Sequence, residues 1–396
     1  MITTLRQQYN QDWTPEAYGR LLQHLSDESG QVPKFPVAET PVFVGKDLKA
    51  QLLTACEQIT DVIVQPDFKA KTEAAVLAGQ RMPSDNAHTT FLQLDFGICQ
   101  DEQGRLSPQL IEAQGFPSLY YFQDTLAEGY RRHFPIPEGY SSFFNGLDQA
   151  SYREKLRRVI VGDADPKETI LLEVEPSKQT TEIDFALASR RLGIATVCIS
   201  ELEVEGDRLY YRLDGKRTRV RRIYNRVIFD ELIKRDDLKR QFYFTQAADV
   251  EWVGHPHWFF RISKYMLPLL DSPYVPDSRF LSDVDTFPTD LENYVLKPLY
   301  SFAGSGVIIN LNRFDLESID DRSNYILQRK VQYAPVVQTP SQPAKIEIRM
   351  LMLWEPDAAR PEVVTNLIRL SKGEMVGVRY NKGRSWVGGS VGFFEE

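Results

Sequence analysis

The sequence is poor in the residues that most often announce a bound metal or a redox function. Its 396 residues include only 3 cysteines and 5 histidines. Cys56, Cys99 and Cys198 lie far apart with no CxxC pair, which excludes a zinc ribbon or a disulfide framework and points to a reducing compartment. Excess positive charge is lacking too. The net charge of −8 argues against a general nucleic-acid binder. No uninterrupted apolar run reaches the ~18 residues of a membrane span. The N-terminus, Met1-Ile-Thr-Thr-Leu-Arg6, lacks the basic flank and apolar core of a signal peptide. The chain therefore reads as a soluble cytoplasmic protein with neither a membrane nor a nucleic-acid partner.

What is present is enough apolar residue for a sizeable core, 42% of the chain, over a length that suggests about two or three domains. Residues 294–310, Tyr-Val-Leu-Lys-Pro-Leu-Tyr-Ser-Phe-Ala-Gly-Ser-Gly-Val-Ile-Ile-Asn, organise the reading. Val295 and Leu296 suit a buried strand, Pro298 ends its ladder, and Val307 to Ile309 predict a second strand. Between them Ser301, Ala303, Gly304, Ser305 and Gly306 leave backbone amides open to close approach, with Lys297 as a fixed cation just ahead. Loop amides and an ammonium together suit the phosphates of a nucleotide. The order is not that of a P-loop, and the third glycine of GxGxxG is missing. An ordinary glycine-containing hairpin is the alternative.

Upstream, residues 1–90 read as largely helical, with Thr14-Pro15 as a helix start. Residues 91–97 and 110–115 predict paired strands around an Asp101-Glu-Gln-Gly104 turn. The two-residue period puts Gln93 and Asp95 on one face of the first strand, and Glu112 and Gln114 on one face of the second. Converging carboxylate and amide oxygens are the hard ligands that Mg²⁺ prefers. A solvated polar hairpin face is the competing explanation.

Residues 168–200 show a strand, a helix stopped by Gly193, and a strand, the pattern of a parallel α/β layer. A hairpin follows through Asp214-Gly215, and then a basic run from Lys216 to Arg226. That run suits either a solvated strand face or the carboxylate of a small substrate, with Arg226 the arginine to watch. His255-Pro-His257 has no acidic or Cys partner following at ligand spacing, so it reads as a loop ahead of Trp258. Ile262-Ser-Lys264 opens a helix. Downstream, 325–331 and 345–353 read as strands, the latter alternating Lys345, Glu347 and Arg349 with apolar residues. Short strands at 363–370, 375–379 and 386–389 end the chain as an antiparallel α+β tail.

As an ordered set, Lys264, Val-Leu-Lys297-Pro with its Gly/Ser loop, Gln328-Arg-Lys-Val331 and Glu347-Ile-Arg349 resemble an ATP-grasp nucleotide site. The resemblance implies that Lys264 and Lys297 contact nucleotide phosphates, that the loop from Ser301 through Ala303 to Gly306 closes over them, and that Gln328, Arg329, Lys330 and Val331 line the adenine. Ordinary ATP-grasp enzymes carry their metal-binding acids after these elements. Here the set lies upstream, as Asp95 and Glu112-Ala-Gln114, an order similar to the circularly permuted group typified by the synthetase domain of glutathionylspermidine synthetase. There an Arg-x-Asp and a Glu-x-Asn strand precede the lysines. This chain departs with Gln93 at the arginine position and Gln114 at the asparagine position.

The resemblance implies a mixed α/β and α+β protein of permuted ATP-grasp type, divided as 1–150 (helical region and acidic hairpin), 151–255 (β-α-β substrate-side layer) and 256–396 (nucleotide cradle). It implies ATP and Mg²⁺ as cofactors, the metal held by Asp95, Glu112 and Gln114. The activity it implies is ligation of a small carboxylate to an amine or thiol through an acyl phosphate, with Arg349 and Arg226 as candidate catalytic residues. Because Gln93 carries no charge, stabilisation of an acyl phosphate would pass to Arg349. A nucleotide-binding module without turnover, motivated by Gln93 and Gln114, and a small-molecule kinase are the alternatives.

Overall fold

The computed structural model of the chain describes residues 1–396 apart from 302–303, 374–375 and 377–380, and apart from the side chain of Asp230. Its elements are arranged about a five-stranded sheet in the order Gly388–Ser390, Glu362–Ser371, Lys345–Leu353, Phe91–Gln100, Leu106–Gln114. Every neighbouring pair is antiparallel. The acidic hairpin thus shares a sheet with strands from the far end of the chain. Its turn is closed by Asp101, whose Oδ1 accepts the amides of Gln103 at 3.0 Å and Arg105 at 2.8 Å. The register sets Gln93 opposite Gln114 and Asp95 opposite Glu112, with a bulge between Asp95 and Phe96.

The period-2 alternation assigns each face of this sheet a task. Leu92, Leu94, Phe96 and Ile98 share one core with Leu48, Leu52 and Ile59 of the helix Lys46–Ile63. On the opposite face, Phe91, Leu351, Leu353 and Leu367 share another with Tyr120, Phe122 and Leu126 of the helix Tyr120–His133. Further along the same face the residues turn from apolar to charged. Asp95 lies opposite Arg349, Gly97 opposite Glu347, and Glu347 opposite Arg369.

Of the four further sheets among the described residues, two bear on the site. The first is parallel, in the order Glu251–Val253, Arg222–Asn225, Thr169–Glu173, Ala195–Cys198. Its helix, Glu182–Leu192, ends on Gly193 at φ 71°, a left-handed cap that glycine adopts without strain. The other is antiparallel, with Tyr325–Arg329 between Ser278–Phe280 and Tyr294–Pro298. Here the strand expected at 307–309 shrinks to one bridge, Leu296 to Ile308. Gly304 and Gly306, both at φ 70°, turn the chain so that it meets the strand edge at that one pair. The expected helix at Lys264 is a 3-10 helix, Lys264–Leu269.

The N-terminal region is helical over Thr3–Asp12, Pro15–Ser29 and Lys46–Ile63, and Thr14 Oγ1 caps the second helix by accepting the Ala17 amide at 3.1 Å. Asp214 and Gly215, at φ 49° and 77°, form the tight turn joining Arg208–Leu213 to Lys216–Val220. On that hairpin Arg217 pairs with Glu205 at 2.6 Å and Arg219 with Asp249 at 2.8 Å, while Arg221 pairs with Glu168 at 2.8 Å. Ion pairs with at least one partner open to solvent, as these are, add little to stability. The last strands are Gly388–Ser390 and Gly392–Glu395, later than the expected 386–389, and the expected strand at 375–379 lies outside the described residues.

Candidate functional site

The charged end of the central sheet holds an ion network spread over three strands. Asp95, 1% exposed, receives Arg349 as a bidentate partner, Nε to Oδ1 at 2.5 Å and Nη2 to Oδ2 at 2.7 Å. The same guanidinium donates Nη1 to Gln93 Oε1 at 2.8 Å, and the Gln93 amide donates onward to the Phe116 carbonyl at 2.9 Å. From the next strand, Arg369 donates Nη2 to Asp95 Oδ2 and also pairs with Glu347 Oε1. The Tyr333 hydroxyl donates to Glu347 Oε2 at 2.9 Å. Gly97 makes room for that ring, since a Cβ there would stand 2.8 Å from Tyr333 Cε1. Burial works to raise the Asp95 carboxyl, but Arg349 and Arg369 outweigh it and hold it below the ordinary carboxylate range. Burial prevails at Glu347, which is raised although Arg369 pulls the other way.

The two lysines approach from other elements. Lys297, on Tyr294–Pro298, donates Nζ to Gln328 Oε1 at 2.6 Å and to the Ile111 carbonyl at 2.9 Å. Gln328 is oriented by its own amide, which donates to Ser278 Oγ at 3.0 Å. Lys264 follows Ser263, whose hydroxyl caps the 3-10 helix by accepting the Tyr265 amide at 3.2 Å. Its Nζ pairs with Glu112 Oε1 at 3.0 Å and donates to the Ser301 carbonyl at 2.5 Å. Burial lowers the Lys297 ammonium to about 8; Glu112 works against that shift, and Lys264 adds to it. A small cleft opens beside Lys264, lined among others by Glu112, Gln114, Phe259, Tyr300 and Ser301.

The structure therefore brings Asp95, Glu112, Gln114, Lys264, Lys297, Ser301, Gln328 and Arg349 to one region and sets others apart. Gly304 follows the cleft, and Ser305 and Gly306 are exposed; Ala303 lies outside the described residues. Strand alternation turns Gln328 inward and Arg329 outward, where Arg329 pairs with Asp290 at 3.0 Å. Lys330 donates its backbone amide to Asn293 at 2.8 Å, and Val331 lies beside Tyr333 over Gly97.

Arg226 is elsewhere. It follows the strand Arg222–Asn225, is 2% exposed, donates to the Pro117 carbonyl, and lies over the rings of Phe116 and Phe185. Near it, burial raises the Glu173 carboxyl to about 8 against the pull of Arg226. Arg349 and Arg226 reach neighbouring carbonyls of one loop, Phe116 through Gln93 and Pro117 directly.

Sequence reasoning missed Arg369 and Tyr333. The alternation of 345–353 flagged Glu347, but nothing local marks the two residues that meet it. They become visible only once the register of the 345–371 hairpin and the crossing of residue 333 over Gly97 are known.

With the geometry described, comparison with known proteins adds a fold. No protein-family model matches the sequence, and no curated protein matches it. Among solved structures, a glutathione synthetase-like effector from Globodera pallida, in its apo form, superposes with a TM-score of 0.55 at 11% identity, over 96% of this chain and 99% of that one. The fold is similar to that of this glutathione synthetase-like protein. At this identity the likeness concerns architecture alone.

The resemblance of the sequence motifs to an ATP-grasp site carries the expectation of ATP and Mg²⁺. The three positions expected to hold the ion do not offer it a fitting donor set. Mg²⁺ requires oxygen lone pairs at ~2.0–2.1 Å in octahedral array. Both oxygens of Asp95 are engaged by guanidinium, and Glu112 shares one oxygen with Lys264. A dication ~4 Å from one guanidinium meets roughly 8 kcal/mol of repulsion at an effective permittivity of about 20. Arg349 and Arg369 both stand against the carboxylate meant to attract it.

A second cluster joins His255 and His257 to Asp85, an acidic neighbour that precedes them in the chain and so lay outside the local spacing read from the sequence. Asp85 arrives from a distant loop, its Oδ1 3.5 Å from His257 Nδ1 and 3.8 Å from His255 Nδ1. The ring hydrogen bonds nevertheless disfavour a metal. His257 Nε2 accepts the Met82 amide at 2.9 Å, which leaves the proton on Nδ1, facing Asp85. His255 Nδ1 accepts the His257 amide at 3.2 Å, and Asp85 already pairs with Lys69 at 2.8 Å. The histidine segment is also not a plain loop, because His255 caps the short helix Pro256–Arg261.

Proposed function

We propose that this chain binds ATP between two α+β subdomains and uses it to join a small carboxylate to an amine or thiol. The observation that carries the reading is the convergence of buried Lys297 and Lys264 beside Glu112 and the Ser301 carbonyl, on a fold similar to an ATP-grasp protein. Ammonium groups from separate elements that meet at a small-residue loop are suited to an anionic polyphosphate. The upstream position of the acidic hairpin supports the circularly permuted order known from the synthetase domain of glutathionylspermidine synthetase.

A carboxylate is a poor electrophile, so the reaction requires activation. One carboxylate oxygen attacks the γ-phosphorus and ADP leaves with the electron pair of the broken P–O bond. The amine nitrogen then attacks the acyl carbon, inorganic phosphate departs, and the amine proton passes to solvent. The protein's task is positioning and charge neutralisation. Lys264 and Lys297 counter phosphate charge. Gln328 keeps the Lys297 ammonium on station, and Val331 and neighbouring positions border the base. Arg349 would stabilise developing negative charge, and Arg226, at the carboxyl end of the parallel sheet, would hold a substrate carboxylate.

A second reading, a nucleotide-binding module without turnover, is favoured by one observation: both oxygens of Asp95 are engaged by arginine. Incubation with ATP and panels of carboxylates and amines, with ADP, phosphate and product mass recorded, separates the two. Ligation predicts equal ADP and phosphate only when both substrates are present, and a product joined with loss of water. A stable phosphorylated product without amide would make the protein a kinase. Bound nucleotide with no turnover across the panels would leave the module.

A further inference from the structure

Arg369 has no part in the proposed activity, and it stands between two carboxylates. Its Nη2 bridges Asp95 Oδ2 and Glu347 Oε1, carboxylates from two strands. Unlike Arg349, whose side chain is 7% exposed, Arg369 keeps 35% of its side chain open. It can neutralise the carboxylates and still face an incoming anion. Around it the cations Arg349, Arg369, Lys264 and Lys297 outnumber the carboxylates Asp95, Glu112 and Glu347, and each of these carboxylates already has a cationic partner in the chain.

We infer that this site takes a nucleoside polyphosphate as its metal-free anion, with the Arg369 guanidinium in the role of a resident cation. The inference rests on the nucleotide reading above and goes beyond it in naming the ionic form of the ligand. Complexation with Mg²⁺ removes two negative charges from ATP and brings in a dication that, among the described carboxylates, finds Asp95 and Glu347 held by arginine and one oxygen of Glu112 held by Lys264. In a site with surplus positive charge and no vacant hard-ligand set, the free anion is the better match.

The test is calorimetric titration of wild-type protein with ADP and with a non-hydrolysable ATP analogue, in EDTA and in excess Mg²⁺, with Arg369→Gln and Arg369→Lys alongside. The proposal expects binding in EDTA at least as tight as in Mg²⁺. It expects Arg369→Gln to weaken the EDTA affinity by about tenfold or more, the effect of losing a charged hydrogen-bond donor. In the same variant, Mg²⁺ should now strengthen binding, because Asp95 and Glu347 regain free oxygens. Wild-type binding that is lost in EDTA and restored by Mg²⁺ would overturn it. The wild-type comparison stands even if a variant fails to fold. Absence of binding in both buffers by folded protein would overturn the nucleotide reading itself, and the inference with it.

Discussion

Lys297 shows most directly how burial sets the behaviour of a single group. Its Nζ is held by two neutral oxygens, Gln328 Oε1 and the Ile111 carbonyl, and no carboxylate among the described residues pairs with it in direct contact. Burial lowers its pKa from 10.5 to about 8, while Glu112, Glu347 and Asp95 oppose the shift and Lys264 adds to it. The ammonium is the form that counters phosphate, so ADP affinity should fall as pH rises through about 8, by at most about tenfold per unit. Affinity measured at pH ~7 to ~9 checks this, and a flat profile contradicts it. Stability moves the other way. Folding weakens this lysine's hold on its proton, so the same group makes the protein more stable as pH rises from about 8 toward 10.5.

At this scale much of the site was legible in the sequence. Asp95, Glu112, Lys297 and Arg349, which strand period and a small-residue loop single out as local signals, lie in one region of the structure. Arg369 was not legible, because its meaning depends on facing Glu347 across a hairpin whose register the residues alone do not reveal.

At the scale of elements, the acidic hairpin owes its position to close approach on one side. Gly115, directly after Gln114, donates its amide to the Ile262 carbonyl at 2.9 Å, and a Cβ there would stand 2.3 Å from the Trp258 carbonyl oxygen. Backbone cannot yield as a flexible side chain can. Gly115→Ala should therefore cost about 1–3 kcal/mol in urea unfolding, and should weaken nucleotide binding by moving Gln114 away from Lys264. An unchanged midpoint and unchanged affinity would show that the hairpin and the Lys264 segment are not coupled through this contact. Strand alternation predicted the charged face of 345–353 but not that its face is shared with apolar Leu351 and Leu353 under the helix Tyr120–His133. The split of one face into a packed end and a charged end is a tertiary fact. The missing strand at 307–309 has a similar origin: β-branched residues favour extension, but the two left-handed glycines ahead of them decide where the chain goes.

At the scale of the whole molecule, an architecture is retained with 11% identity to the structure it resembles. Cores accept many apolar combinations that keep volume and pattern, so a fold can persist while its sequence drifts. Function does not follow so freely, because it resides in particular side chains. The order of elements along the chain, acidic hairpin first and nucleotide lysines later, was legible because it needs no contact map. The joining of that hairpin to residues 345–371 in one sheet was not, since it closes a loop of more than two hundred residues.

The central claim is that Lys264 and Lys297 form a nucleotide site. The most direct measurement is calorimetric binding of ADP to wild type and to Lys297→Ala, each shown to be folded by its unfolding transition. The account predicts saturable, one-to-one binding by wild type and a loss of about tenfold or more in the variant, the effect of a buried charge-assisted contact. Equal affinity in the two proteins, or no binding by folded wild type, would contradict it.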